Sequence, residues 1–150
     1  MSGCVKNNSG EQRGENGMAE LKTVLMVDDE EEFCRLVKQN LEDTGRFKVF
    51  LAHNGKDGIA SAGAEVPDLI LLDVMMPDMD GPEVAAVLAR DKRTCSTPII
   101  FLTAIVQKTE LGINTVGKIG KQPYIAKPVS TGDLIKAIDE ILETKQKGVM

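Results

Sequence analysis

Large aromatic side chains are scarce in this sequence of 150 residues, which contains four Phe, one Tyr and no Trp. A hydrophobic core must therefore be built mainly from aliphatic residues. No apolar run approaches the about 18 residues that a membrane-spanning helix requires. The N-terminus also lacks the apolar segment of a signal peptide. These absences predict a cytoplasmic protein that makes no contact with a membrane.

An excess of basic residues is also missing, because 18 Lys and Arg stand against 23 Asp and Glu, for a net charge of −5. No basic cluster is available to meet the phosphates of a nucleic acid, so we expect no direct nucleic-acid binding. Two glycine patterns of nucleotide-binding proteins, the P-loop and GxGxxG, are absent as well. The usage of hydrophobic (42%) and charged (27%) residues is that of a globular protein.

Short apolar runs alternate with amphipathic stretches between residues 21 and 145, and we expect this segment to form one domain. The flanking segments 1–20 and 146–150 are polar, and we expect a disordered N-terminal tail and a short C-terminal tail. The runs predicted as strands are 24–27, 47–52, 69–72, 98–103 and 124–126. Their alternation with helices predicts an α/β fold with a doubly wound, five-stranded parallel sheet. A weak fourth helix is expected within 109–116.

Polar residues stand where four of the predicted strands end. They are Asp28, Asp29, Asp73, Thr103 and Lys127. The carboxyl ends of parallel strands share one edge of a sheet, which is where open α/β sheets bind their ligands. Three carboxylates at one place repel each other, so at neutral pH they require a proton, a metal ion or a cationic side chain. Oxygen ligands of this kind suit Mg²⁺.

The same side chains fit a phosphoryl group attached to a carboxylate. Such a group has three free oxygens, for which Mg²⁺, the ammonium of Lys127 and the hydroxyl of Thr103 are three partners. Asp73 is the predicted nucleophile, because it ends the apolar run that has the pattern of a central, fully buried strand. Asp78 and Asp80 lie in the following loop, where we expect them to be solvated or to cap the third helix.

These residues and their neighbours together resemble the receiver domain of two-component response regulators. The resemblance rests on Asp28-Asp29, on the run LLDVMMPDMDG from Leu71 to Gly81, on Thr103-Ala104 and on Lys127-Pro128. It covers about residues 22–145. It implies a flavodoxin-like, CheY-like fold with strand order 2-1-3-4-5. It also implies a phosphoacceptor in a phosphorelay, and not an enzyme that turns over a separate substrate.

The resemblance assigns roles to residues of the site. It implies that Asp29 binds Mg²⁺ directly and Asp28 mainly through water. Asp73 is implied to accept a phosphoryl group from a phosphohistidine and to ligate the metal, together with the backbone carbonyl of Met75. Lys127 is implied to pair with Asp73 and then with its phosphate.

The resemblance also implies partners. A sensor histidine kinase or a histidine phosphotransfer protein is the implied donor, with Phe33, Val37 and Val129 as candidate docking contacts. Thr103 and Tyr124 are implied to form a switch that reshapes the face of helix four, strand five and helix five. The resemblance implies that this face binds a downstream protein target or, after phosphorylation, a second copy of the chain.

Two apolar residues, Met75 and Ile105, lie two positions after Asp73 and Thr103. Neither can orient a water molecule by hydrogen bonding, so we expect slow self-dephosphorylation. The alternative for both residues is that they only pack.

Two other functions compete with this interpretation. A Mg²⁺-dependent aspartyl phosphohydrolase usually carries Asp-x-Asp, but the second position is Met75 here. The other function is that of a degenerate receiver, which binds proteins without being phosphorylated. It stays open because Gly120-Lys121-Gln122-Pro123 replaces the Gly-Ala-Asp-Asp that is usual in the family.

Overall fold

A computed structural model describes residues 21–103, 116–119, 122–127 and 130–147 of the protein. The strands are β1 (Lys22–Val27), β2 (Phe47–Ala52), β3 (Leu69–Asp73), β4 (Ile99–Thr103), β5 (Val116–Ile119) and β6 (Gln122–Ala126). The helices are α1 (Glu31–Asp43), α2 (Gly55–Glu65), α3 (Gly81–Ala89) and α4 (Thr131–Lys147). None of the helices in this described part is long and apolar enough to cross a membrane.

The strands form one sheet in the order β2-β1-β3-β4-β6-β5. The first five strands in this row pair in parallel. The predicted doubly wound parallel sheet and its order are thus confirmed, with β6 as the fifth predicted strand. This is the flavodoxin-like arrangement, in which the strand order reverses beside β1 and β3.

One strand was not predicted. β5 pairs with β6 in antiparallel fashion at the edge of the sheet, with Val116 opposite Ile125. Its sequence begins with Val and ends with Ile, which favour extended backbone. The predicted fourth helix, within 109–116, lies outside the described residues except for Val116, which belongs to this strand.

Strand β3 is the centre of the core, because all five of its residues are buried. Successive side chains of a strand point to opposite faces. Leu69 and Leu71 therefore pack with buried residues of α1 and α4, whereas Ile70 and Leu72 pack with buried residues of α2 and α3. Asp73 is the last residue of this buried strand, so the fold places it at the carboxyl edge of the central sheet.

Gly81 lets α3 begin directly against the end of β3. Its amide donates to the carbonyl of Val74 at 2.7 Å. A Cβ at position 81 would lie 2.6 Å from the carbonyl oxygen of Asp73 and 3.0 Å from the Cα of Val74. Both neighbours are backbone atoms, so the loop after Asp73 would have to move to accept any side chain there.

This close approach predicts that Gly81→Ala destabilises the protein. We expect the free energy of unfolding to fall by about 1–3 kcal/mol, the usual effect of overpacking a tight site. Urea denaturation followed by circular dichroism measures it. Gly132→Ala in α4 is the control, since a Cβ there meets nothing within 4 Å. An equal loss in both variants would contradict the steric explanation.

Candidate functional site

The polar residues predicted at the strand ends lie together at one edge of the sheet. Asp28 and Asp29 follow β1, Asp73 ends β3, Thr103 ends β4 and Lys127 follows β6. Strands β1, β3 and β4 are neighbours in the sheet. As a result, carboxylate oxygens of Asp28, Asp29 and Asp73 lie within 4.8 Å of one another. The three differ in environment, because Asp28 and Asp73 are buried and Asp29 is exposed.

Lys127 is the cation at the centre of this cluster. Its Nζ lies 2.8 Å from Asp28 Oδ2 and 3.7 Å from Asp73 Oδ1. The Lys127 side chain is 11% exposed, so water screens these ion pairs only weakly. In this state the ammonium is therefore closer to Asp28 than to the predicted nucleophile.

Two further residues of α1 and its N-cap contact the same ammonium, and the sequence did not reveal either contact. Glu30 Oε1 accepts a hydrogen bond from Lys127 Nζ at 3.0 Å. The Nζ also stands 4.9 Å from the centre of the Phe33 ring, within range of a cation–π interaction. Phe33, which was predicted to dock a kinase, is thus also a direct neighbour of Lys127.

The electrostatics of the cluster change the acidity of its members. Burial, followed by the charge of Asp28, raises the pKa of Asp73 to about 6, although Lys127 partly opposes this. Burial is also the largest single influence on Lys127 and would lower its pKa. The carboxylates of Asp28, Glu30 and Asp73 together outweigh it, and the pKa of Lys127 is raised. Lys127 is therefore an ammonium at neutral pH, and Asp73 is held in the ionised state less firmly than an ordinary carboxylate.

The cluster fits a divalent cation. Asp28 Oδ2 is fully buried and makes no hydrogen bond of acceptable geometry, so the ion pair with Lys127 is its partner. The Lys127 ammonium is shared with Glu30 and Asp73, so the buried charge of Asp28 is only partly compensated and a second cation would stabilise it further. Asp29 and Asp73 supply further carboxylate oxygens beside it. Such a set of oxygen donors, open to solvent at Asp29, suits Mg²⁺, which keeps several waters.

The other predicted site residues lie around the cluster. Thr103 is 2% exposed, and its carbonyl accepts the amide of Lys127 at 2.9 Å, which ties β4 to the residue after β6. Tyr124 on β6 is half-buried and packs against the core between the sheet and α2 and α3. Met75 is 63% exposed, and its amide lies 3.4 Å from Asp73 Oδ1. Ile105 and the docking candidate Val129 lie outside the described residues.

The prediction that Val37 contacts a kinase needs correction. Val37 is 6% exposed and packs into the core beneath α1. It shares a helical stripe with Cys34 and Leu41, which are also buried. Leu36, one residue earlier, is 57% exposed and lies on the surface of the same helix.

The two loop aspartates after Asp73 have different partners. Asp80 caps α3, as expected, because its side chain accepts the amide of Glu83 at 2.9 Å. Asp78 instead accepts the amides of Gly55 at 2.9 Å and Lys56 at 3.0 Å, which belong to the first turn of α2. These bonds, that of Gly55 first, lower the pKa of Asp78. The loop after the nucleophile is thus fastened to two helices.

The sequence matches a known family and several characterised relatives. Residues 24–139 match the model of the response regulator receiver domain. The transcriptional regulatory protein PhoP of alkaline phosphatase synthesis, from Bacillus subtilis, is 36% identical over 83% of this chain, which spans 50% of PhoP. Protein PilH of Pseudomonas aeruginosa is 35% identical over 79% of this chain, which spans 96% of PilH. The chain thus spans half of one relative and nearly all of another.

Solved structures share the fold. A CheY-like receiver domain protein from Methanospirillum hungatei has a TM-score of 0.69 and 28% identity, over 85% of this chain and 98% of that one. The chemotaxis protein CheY4 of Vibrio cholerae has a TM-score of 0.69 and 28% identity, over 81% of this chain and 98% of that one.

The raised pKa of Asp73 predicts a pH-dependent effect of Asp73→Asn on stability. A carboxyl whose pKa is higher in the folded state than in the unfolded state destabilises the fold once it ionises. The pKa rises from 3.8 to about 6 on folding, so this destabilisation develops as the pH increases through that interval. Asp73→Asn removes it, and we expect a gain of about 1–3 kcal/mol in the free energy of unfolding at pH 7.5, shrinking toward pH 4.5.

Urea titrations of both proteins in EDTA at the two pH values measure this effect. Asp28, Asp29, Glu30 and Lys127 face the same site and are present in both proteins, so the difference isolates Asp73. A gain of the same size at both pH values would show that ionisation of Asp73 is not its cause.

Proposed function

The chain belongs to the family of response regulator receiver domains, which are signalling modules of two-component systems, and we propose that Asp73 is its phosphoacceptor. The observation that carries this proposal is the placement of Asp73 at the end of the central strand, with Asp28, Asp29 and Lys127 around it. An acid at that position is held by a fully buried strand, so an incoming group meets a fixed nucleophile.

The proposed transfer exchanges one bond at phosphorus for another. A carboxylate oxygen of Asp73 attacks the phosphorus of a phosphohistidine on a histidine kinase or a histidine phosphotransfer protein. The bond between phosphorus and the imidazole nitrogen breaks, and its electron pair returns to the imidazole, whose other ring nitrogen carries a proton, so that the ring leaves as neutral imidazole. The product is an aspartyl phosphate at Asp73 and a free histidine on the donor.

The charges around Asp73 support this step. Asp28, Asp29, Asp73 and the carbonyl of Met75 would hold Mg²⁺, which when bound supplies positive charge to the phosphoryl oxygens. Lys127, now 2.8 Å from Asp28 and 3.7 Å from Asp73, is close enough to pair with the oxygens of a phosphoryl group on Asp73. The ammonium of Lys127 would thus stabilise the negative charge on the phosphoryl oxygens during transfer to Asp73.

The proposed signal of the protein is a phosphorylation-dependent change in the shape of one face of the domain. Thr103 stands beside the backbone of Lys127, and Tyr124 lies on the adjacent strand β6. We propose that Thr103 follows the phosphate and that Tyr124 turns with it, which alters the face that includes β6 and α4. A downstream protein, or a second copy of the chain, binds the altered face.

This change of surface predicts that amide hydrogen exchange in residues 122–127 and 131–147 changes on phosphorylation. Unchanged exchange rates in both segments would refute the proposed change of surface.

Phosphorylation itself is tested by intact mass after incubation with acetyl phosphate. We expect a gain of one phosphoryl group that requires Mg²⁺, because the carboxylates otherwise repel the phosphate, and that Asp73→Asn abolishes. The matched control is Asp80→Asn, which changes an aspartate of the same loop to the same amide, keeps a side-chain oxygen to cap α3 and should still be phosphorylated. If neither the adduct nor binding of beryllofluoride is seen in the wild type, the chain is a phosphate-independent interaction module.

The lifetime of the phosphate should depend on Met75. Its exposed thioether side chain cannot orient an attacking water, whereas an amide at this position can. We therefore propose slow self-dephosphorylation and expect Met75→Asn to shorten the half-life of the aspartyl phosphate several-fold. Loss of mass adduct over time measures it, and Met75→Leu is the apolar control. An unchanged half-life in Met75→Asn would mean that Met75 only packs.

Docking of the phosphodonor should involve the surface of α1 near Lys127. Phe33 is partly buried there, and Leu36 is exposed on the same helix. We propose that a phosphorylated histidine phosphotransfer protein contacts this surface. Leu36→Ala should slow transfer from that protein and leave transfer from acetyl phosphate unchanged. Equal slowing with both donors would refute docking. Leu36 is substituted instead of Phe33 because the Phe33 ring contacts Lys127, so a Phe33 variant would also change the phosphorylation site.

A further inference from the structure

The carboxylate of Asp78 connects the loop that follows the nucleophile to α2, which packs on the same face of the sheet as α3. This loop, residues 74–80, joins β3 to α3 and carries Met75. One oxygen of Asp78 accepts the amide of Gly55 at 2.9 Å, and the other accepts the amide of Lys56 at 3.0 Å. Amides in the first turn of a helix have no partner within the helix. Both carboxylate oxygens are thus occupied by the start of α2.

Direct packing reinforces these two hydrogen bonds. Gly55 is buried, and a Cβ added to it would lie 2.9 Å from Met79 Cβ and 3.0 Å from Val84 Cγ2. The absence of a side chain at position 55 therefore lets the loop and α3 lie against the first turn of α2. The contact is polar at Asp78 and apolar at Met79, one residue later.

The helix does not depend on Asp78 to begin. Asn54 is the N-cap of α2, and its side chain accepts the amide of Asp57 at 2.8 Å. The bonds of Asp78 thus add a second cap from outside the helix. Their distinctive effect is on the loop. Its other hydrogen bonds to the fold include that of the Val74 amide to the Leu102 carbonyl, that of the Gly81 amide to the Val74 carbonyl and the capping of α3 by Asp80.

Between these hydrogen bonds lies the part of the loop that faces the site. The amide of Met75 lies 3.4 Å from Asp73 Oδ1. We propose that Asp78 is a positioning residue, which holds loop 74–80 so that Met75 presents its carbonyl to Mg²⁺ and its amide to the Asp73 carboxylate. This inference rests on the proposed function, since it concerns the metal of that site. The carboxylate of Asp78 accepts hydrogen bonds from the amides of Gly55 and Lys56, so its effect on the metal would act through the loop.

The test compares two variants that each remove a side-chain cap from α2. Asp78→Ala also releases the loop, whereas Asn54→Ala leaves the loop's bonds intact. Calorimetric titration with MgCl₂ gives the Kd of each protein, and thermal unfolding in EDTA gives its Tm. We expect both variants to lower the Tm, and Asp78→Ala alone to raise the Kd, by about tenfold, as for other residues that orient metal ligands. A Kd raised equally in both variants, or in neither, would overturn the proposal.

Asp78→Asn separates positioning from charge. It removes the same negative charge as Asp78→Ala but keeps one oxygen that can accept an amide of α2. Positioning predicts a Kd between those of the wild type and Asp78→Ala. A Kd equal to that of Asp78→Ala would show that only charge matters and would overturn the proposal.

The outcomes for the two proposals are distinguishable. If acetyl phosphate phosphorylates the wild type but Asp78→Ala binds Mg²⁺ as Asn54→Ala does, the phosphoacceptor function stands and the positioning role falls. If the wild type is not phosphorylated but the Kd values differ as expected, the positioning role stands and the phosphoacceptor function falls. A wild type that binds no Mg²⁺ would overturn both.

Discussion

The crowding of buried carboxylates around one ammonium is the constraint on which this site depends. Asp28 is fully buried and Asp73 nearly so, and Lys127 is the shared cation, nearer to Asp28 than to Asp73. Removing two carboxylates from water is unfavourable, and one ammonium offsets only part of that penalty. The raised pKa of Asp73 is the direct consequence. Further positive charge at this place is therefore favourable. This explains why the site suits Mg²⁺ and, together with Mg²⁺, a phosphoryl group whose oxygens bind the metal.

The fold keeps this unfavourable cluster in place. The parallel sheet aligns the ends of β1, β3 and β4, and helices cover both faces of the central strand. The ends of these strands cannot separate without breaking the backbone ladder and the core. The loop after Asp73 adds a second restraint, because Asp78 and Asp80 fasten it to α2 and α3. Apolar packing on the two faces of the sheet thus maintains a cluster of carboxylates that is itself unfavourable for stability.

The sequence was sufficient to predict the parallel sheet and the clustering of Asp28, Asp29, Asp73 and Lys127, because strand ends in such a sheet share one edge. The burial of Val37 could also have been predicted, since Val37 lies one helical turn from the buried Leu41. The contact of Asp78 with Gly55 could not, because it joins positions 23 residues apart and depends on how two helices pack. Strand β5 was missed because local propensity did not decide between helix and strand in a glycine-bearing segment.

The most direct measurement is to locate the phosphoryl group by chemical trapping. The protein is incubated with acetyl phosphate and Mg²⁺, and borohydride then reduces any acyl phosphate to an alcohol, which fragmentation of the peptides assigns to a residue. We expect reduction at Asp73 and at no other carboxylate, and no reduction when Mg²⁺ is omitted. Reduction at Asp28, Asp78 or another residue, or no reduction in a protein that has gained the mass of a phosphoryl group, would contradict it.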